Sequence, residues 1–245
     1  MRYPFKNLIS ATLTVVALLG GVAVSQATLI APSSYDMPNG YGTSVGGEYN
    51  YWDTTYTGLG NKTADGAPLT GGTGKLTDGV IAAHSWEWND ADGLPHTESS
   101  LLGDGPYVGW TWGDPTITFH FADLVDIDTI TFYVDDPAND RYGNPRGGVA
   151  APENFIIGGS TYAVNSPSPG TGPLAVRFAE LDLQDIEDLT VTLDREVSAS
   201  MFWVFMSEVT FDDGRNPAPV PEPSSLLLVA MGGVALSFLR YRRGN

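Results

Sequence analysis

Cysteine is absent from the 245-residue chain, which excludes a disulfide framework and any thiolate-held metal. Basic residues are scarce: 12 Lys and Arg stand against 29 Asp and Glu, a formal net charge of −17. Such a surface repels phosphate backbones, so no nucleic-acid partner is expected. Charge of either sign is thin, at 17% against about 25% in an average protein. Histidine occurs three times, as His84, His96 and His120. No two are spaced i, i+3 or i, i+4 on a helix-like stretch, so no zinc-protease pattern forms. Strong helix formers give way to 29 Gly and 17 Pro, the poorest ones. A hydrophobic content of 42% is enough for a core and excludes wholesale disorder.

What is present begins with two addresses. Arg2 and Lys6 precede an apolar run over residues 8–24, and Ser25-Gln26-Ala27 then supplies small residues. That order is a secretory signal peptide with cleavage expected after Ala27. An uncleaved anchor is the alternative, though the run is short for a span. At the other end Val220-Pro221-Glu222-Pro223-Ser224-Ser225 leads into an apolar stretch over 226–239, then Arg240-Tyr241-Arg242-Arg243. The apolar part is shorter than the roughly 20 residues of a spanning helix, and its basic end would stay cytoplasmic. Read physically, this is a stop-transfer or sorting helix behind a Pro-rich linker. The Pro221-Glu222-Pro223 triplet, Gly232-Gly233 and the Arg cluster resemble the PEP-CTERM sorting signal of Gram-negative bacteria that make exopolysaccharide. The resemblance implies handling by an exosortase-type enzyme and delivery to the cell surface or matrix. Before processing, the helix would hold the protein in the inner membrane. Between the two ends, residues 28–219 carry seven basic residues against 28 acidic ones, a net charge of −21. This suits solubility and an affinity for divalent cations.

The middle of the chain reads as strands. Thr116-Ile117-Thr118-Phe119-His120-Phe121 and Thr129-Ile130-Thr131-Phe132-Tyr133-Val134 alternate polar and apolar residues, the period of half-buried strands. Further strands are expected at 154–157, 161–164, 174–178, 189–193 and 201–211, bounded by turn residues such as Asp135-Asp136-Pro137 and Gly158-Gly159. Residues 31–74 read as long loops with short strands near 48–56, and residues 179–186 as a short helix or an acidic turn. Many short strands with Gly and Pro punctuation indicate an all-β antiparallel sandwich or jelly roll. The expected organisation is leader 1–27, flexible stretch 28–47, β-sandwich 48–213, Pro-rich linker 214–225 and C-terminal hydrophobic helix 226–245. Order and spacing of Lys75 to Val80, Trp86, Trp110-Thr111-Trp112-Gly113-Asp114-Pro115, the strands at 117–121 and 130–134, residues 151–159 and Trp203 to Val209 resemble the discoidin-like, galactose-binding-like jelly rolls. The resemblance implies a sandwich whose loops at one end bind carbohydrate or another extracellular ligand.

Chemistry-bearing motifs mostly fail on context. Gly42-Thr43-Ser44-Val45-Gly46 has nucleophile-elbow spacing but no strand before it or helix after it. Gly71 to Leu76 mimics a phosphate loop, but Leu69 and Leu76 occupy positions that need Gly and Ser or Thr. Asn89-Asp90-Ala91-Asp92-Gly93 has Trp88 and Ser99 where an EF-hand needs its first and last ligands. No catalytic residue is identified. The discoidin resemblance implies one structural calcium, with carboxylates from Asp78 and Glu208 and carbonyls from Lys75 and Ser207. Val80 and Ala83 depart from the oxygen-bearing side chains usual in such sites. Alternation along the last strand puts Glu208 on the face of Val204 and Met206. Trp86, Trp88, Tyr107, Trp110 and Trp112 fall within 27 residues, and each Trp pair has the spacing that shares a strand face. Indole faces stack on the C–H faces of sugars while leaving hydroxyls free. With Arg146 in a Gly-rich loop, these are the candidate ligand residues, and burial of some of them in the core is the competing account. The function expected is therefore an exported, non-catalytic, carbohydrate-binding surface or matrix protein. A structural matrix component without a pocket, or a secreted polysaccharide hydrolase, stays open.

Overall fold

The computed structural model describes residues 28–42, 51–86, 88–89, 94–95, 106–137, 148–165, 170, 172–195 and 203–214, all within one compact unit, Ala27–Asn216. The expected leader, the Pro221-Glu222-Pro223 triplet, the hydrophobic tail, Arg146 and His96 lie outside these residues. Thirteen strands are described and, among the described residues, no α-helix. One sheet runs β1(Leu29–Ile30), β13(Val204–Asp212), β8(Thr129–Asp136), β11(Gly172–Phe178), with β6(Val108–Trp110) also on β13. The second runs β10(Ser160–Ala163), β9(Asn154–Ile157), β12(Leu183–Asp194), β7(Thr116–Ile127), β2(Ser34–Pro38), β3(Pro68–Gly72). A two-strand ribbon, β4(Trp88–Asn89) and β5(Leu94–Pro95), stands apart, and every pairing between named strands is antiparallel.

Alternation explains the layers. On β7, Ile117, Phe119 and Phe121 are buried while Thr118 and His120 are half-buried on the other face. On β8, Ile130, Phe132 and Val134 point inward. Aromatic pairs then bridge the two sheets: Phe119 meets Phe211 edge-on at 4.9 Å, and Phe132 stacks on Phe155 at 4.1 Å. Such pairs add about 0.5–1.5 kcal/mol beyond the area they bury.

Three expectations need correction. Within the stretch expected to be flexible, residues 28–42 supply β1 and β2 to the two sheets, and the rest of that stretch lies outside the described residues. Residues 51–56 form no strand, yet Tyr51 and Tyr56 are buried. Residues 179–186 are not helical: 179–182 is loop and β12 begins at Leu183, with its register against β7 broken twice before Asp188. Glu180, Asp182 and Asp185 there take positive φ (59°, 47° and 54°), a conformation that cannot propagate as a right-handed helix.

Candidate functional site

The last strand organises one side of the molecule. A β-bulge between Met206 and Glu208 shifts its register against β8, so one extra residue changes which face follows. Val204 and Met206 before it, and Val209 and Phe211 after it, all face the core. Glu208 therefore does not share the face of Val204 and Met206, which corrects the alternation drawn through this strand. It is 4% exposed, under the turn over residues 74–80.

That turn is fastened at several points. Val209 N–H donates to the Leu76 carbonyl (2.9 Å), and Ala82 N–H donates to Ser207 Oγ (3.2 Å). Gly79 N–H donates to Glu208 Oε2 (2.9 Å), and Val80 N–H donates to Asp78 Oδ1 (2.9 Å). Gly79 has φ +81° with open space where a Cβ would stand, so backbone conformation, not crowding, calls for glycine. Burial pushes the Glu208 carboxyl up to about 7; the Gly79 N–H restrains the rise and the negative charge of Asp78 adds to it. Asp78 is also raised, first by burial. Lys75, 4% exposed, sends its ammonium to the Trp52 carbonyl (3.0 Å). Its N–H donates to Asp53 Oδ1 (3.2 Å), and that fully buried carboxylate also accepts the hydroxyl of Tyr35 on β2. Of the four residues named from sequence, Glu208 is joined to the Asp78 turn through Gly79 and Ser207 through Ala82, while Lys75 engages Trp52 and Asp53. Among the described residues no group of three or more His, Asp or Glu is arranged to hold a metal ion. A cation here would take two carboxylates and complete its shell from carbonyls and water, which hard-cation chemistry permits.

The aromatic residues divide. Trp86 is half-buried, edge-on to Tyr51 (6.3 Å, 76°) and to Phe205 (6.0 Å, 68°). Tyr107, 3% exposed, packs on the same Phe205 at 5.9 Å and donates its hydroxyl to the His84 carbonyl (2.8 Å). With Trp203 and Val149 they form a second hydrophobic cluster. Gly109 lets Phe205 and Tyr51 close over β6, since a Cβ there would strike both side chains. Trp110 belongs to the main core at 1% exposure, its indole N–H donating to the Pro38 carbonyl (2.8 Å). It presents no face to a ligand. Trp112 is 75% exposed. The two do not share a strand face, because β6 ends at Trp110 and Gly113 follows in the left-handed region (φ 72°). Trp88 lies on β4, and only its backbone is described.

Trp112 stands on a fastened loop. Arg195, 9% exposed, donates from its guanidinium to the Thr111 carbonyl (2.6 Å) and pairs with Asp114 (3.4 Å). Its N–H reaches the same carboxylate (3.3 Å), and Leu193 N–H donates to the Pro115 carbonyl (3.0 Å). Both ends of the loop are therefore tied to the end of β12.

Two arrangements escaped sequence reasoning. His120 is held between Asp188 on β12 (Nδ1···Oδ1 2.6 Å) and Asp36 on β2 (Nε2···Oδ2 3.4 Å). The Asp188 hydrogen bond chiefly raises its pKa. Alternation did put His120 on the outer face, but its partners arrive by tertiary register. Asp135 and Asp136 are fully buried within β8, not in an exposed turn. Asp135 Oδ2 accepts the Trp86 N–H (2.8 Å), while Oδ1 is buried with no partner. Burial drives that carboxyl up to about 7.

Against known proteins, residues 219–243 match the PEP-CTERM protein-sorting motif. The chain thus carries this sorting signal, the mark of an exported protein handled by an exosortase in Gram-negative bacteria. No curated protein matches the chain. Solved structures with a similar course include one of the Streptococcus pneumoniae beta-galactosidase BgaA (9% identity, TM-score 0.39, 76% of this chain and 99% of that one). Another is the family 32 CBM of C. perfringens NanJ, solved with galactose (12%, 0.28, 46% and 82%). A third is the CBM32 of AlyQ, solved with 4,5-unsaturated mannuronic acid (13%, 0.25, 43% and 75%). At these values the likeness assigns no ligand.

Proposed function

We propose that this chain is an exported, non-catalytic β-sandwich that binds carbohydrate or exopolysaccharide at the cell surface or in the matrix. The observation that carries the carbohydrate half is Trp112: a large aromatic ring left in solvent on a loop fastened by a nearly buried arginine. Exposing an indole forfeits burial energy, and holding it fixed lowers the entropy cost of stacking a sugar on it. Trp86 joins it as a half-exposed ring, whereas Tyr107 and Trp110 serve packing. Their burial favours the second reading, a matrix component without a pocket, for that part of the molecule. An exosortase-type enzyme would process the chain near Pro221-Glu222-Pro223 and remove the tail. One calcium ion would sit at the turn, held by Asp78 and Glu208 with carbonyls of Lys75 and Ser207. Bound there, it would neutralise the two carboxylates and brace the turn against β13.

The test is sedimentation of full-length protein with insoluble polysaccharides. The reading expects binding that Trp112→Ala weakens about tenfold or more, the loss of one stacking anchor. Equal binding by Trp112→Ala, or no binding to any polysaccharide, would reject it. Intact-mass measurement of the surface-exposed protein tests processing: the expected species ends near the Pro-Glu-Pro triplet.

A further inference from the structure

A groove of about 270 Å³ opens on the outer face of the six-stranded sheet, lined in part by Asp36, Pro38, Pro68, Thr70, Thr116 and Thr118. Its lining shares no residue with the turn over 74–80 or with the cluster around Phe205. Its origin is topological. β2 pairs with β7 only over Ser34 to Asp36, but its pairing with β3 continues to Pro38 opposite Pro68. Proline has no N–H for a ladder, so β2 leaves β7 and a cleft forms between them.

The lining is ordered. Thr116 pairs its hydroxyl with Thr192 (2.8 Å), and Thr118 with Thr190 (3.1 Å). Two hydroxyls in a pair use one proton between them and keep one proton and spare lone pairs for a visitor. Asp36 is fixed from two sides: Oδ1 accepts the Gly71 N–H (2.7 Å) and Oδ2 faces His120 (3.4 Å). His120 is in turn held by Asp188 (2.6 Å). Facing the hydroxyl row stand the apolar flanks of Pro38 and Pro68. Trp112 precedes Thr116 by four residues, on the loop that enters β7.

From these contacts we propose that the groove is a binding site for an uncharged, hydroxyl-rich polysaccharide strand that crosses the sheet face from Trp112 along β7. This inference rests on the carbohydrate reading and specifies where the ligand lies and its charge class. Ordered hydroxyls and a preset carboxylate exchange hydrogen bonds with sugar hydroxyls at little ordering cost. The charge balance selects the class. Asp36 and Asp188 share one histidine, on a chain of net charge −17, so a polyanion meets repulsion.

The experiment uses the full-length protein with three immobilised probes: a neutral glucan, a neutral galactan and alginate. Wild type should bind at least one neutral probe and not alginate. The double variant Thr116→Val/Thr118→Val, which keeps strand-compatible shape, should lose affinity about tenfold or more. Asp36→Asn should lose affinity about threefold to tenfold, with melting temperature checked for both. If wild type and both groove variants bind equally while Trp112→Ala does not, the groove is refuted and the carbohydrate reading stands. Alginate binding as tight as neutral binding refutes the charge class. No binding to any probe by wild type refutes the groove together with the reading beneath it. Should the double variant melt early, Asp36→Asn alone decides, and unchanged affinity there refutes the groove.

Discussion

Asp135 shows how one buried group sets a pH response. Its carboxyl, fully buried on β8, has one oxygen hydrogen-bonded to Trp86 N–H and the other unpaired, and its pKa rises to about 7. A folded-state pKa above the unfolded one means that the native state binds the extra proton. Stability is therefore greatest near the ordinary carboxylate range and falls as pH climbs toward about 7. Asp135→Asn keeps an oxygen for the Trp86 N–H and carries no charge. It is expected to raise stability at pH 8 relative to wild type and to flatten the melting curve against pH, because the charge that burial penalises is gone. Chemical denaturation at pH 5 and pH 8 measures both. His120 acts in the same direction: its raised pKa gives stability below its ordinary value that is lost as pH rises past it. Glu208 tests the calcium proposal. Calcium at roughly 100-fold its Kd should stabilise metal-free protein by about 2.7 kcal/mol, and Glu208→Gln should abolish that gain. The buried acid of Asp135 and the partners of His120 were not legible in the sequence, whereas Asp78 and Glu208 were named from a resemblance. Asp135-Asp136-Pro137 has the composition of an exposed turn, and only pairing with β11 at Pro173 and Gly172 carries it into the interior.

Strands were read well wherever alternation was long and β-branched. β7, β8 and β9 begin where the pattern begins, because each has one face against the core and the period of two is the imprint of that burial. β7 runs on to Ile127, beyond the expected end at Phe121. β2 and β3 were missed for a physical reason. Ser34-Tyr35-Asp36-Met37-Pro38 and Pro68-Leu69-Thr70-Gly71-Gly72 have weak intrinsic strand preference and owe their form to neighbours. The bulge in β13 was equally invisible, since a one-residue insertion obeys no period. Its effect was to put Glu208 on the wrong face on paper, while in the structure Glu208 accepts the Gly79 N–H of the turn. The Trp110 and Trp112 spacing misled in the opposite sense, as the strand stopped between them. The best-read strand also carries a clear stability test. Phe119 is fully buried and touches Phe211 and Tyr35. Phe119→Ala should cost about 3–5 kcal/mol, measured as a lower urea midpoint with near-normal slope.

At the scale of the whole molecule, two sheets close over a single main core, with the aromatic cluster around Phe205 as a smaller second one. β13, the last described strand, is also the most connected: it pairs with β1, β6 and β8. A chain ending before residue 203 lacks the middle of one sheet and should give neither a cooperative melt nor near-ultraviolet dichroism. Arrival order then matters. A polypeptide made from its amino terminus keeps this keystone until nearly the end, so until then the six-stranded sheet has no complete partner sheet to close its core against. For a chain bound for a narrow translocation pore, that lateness is useful: it stays threadable until the final strand is through, and sets only on the far side.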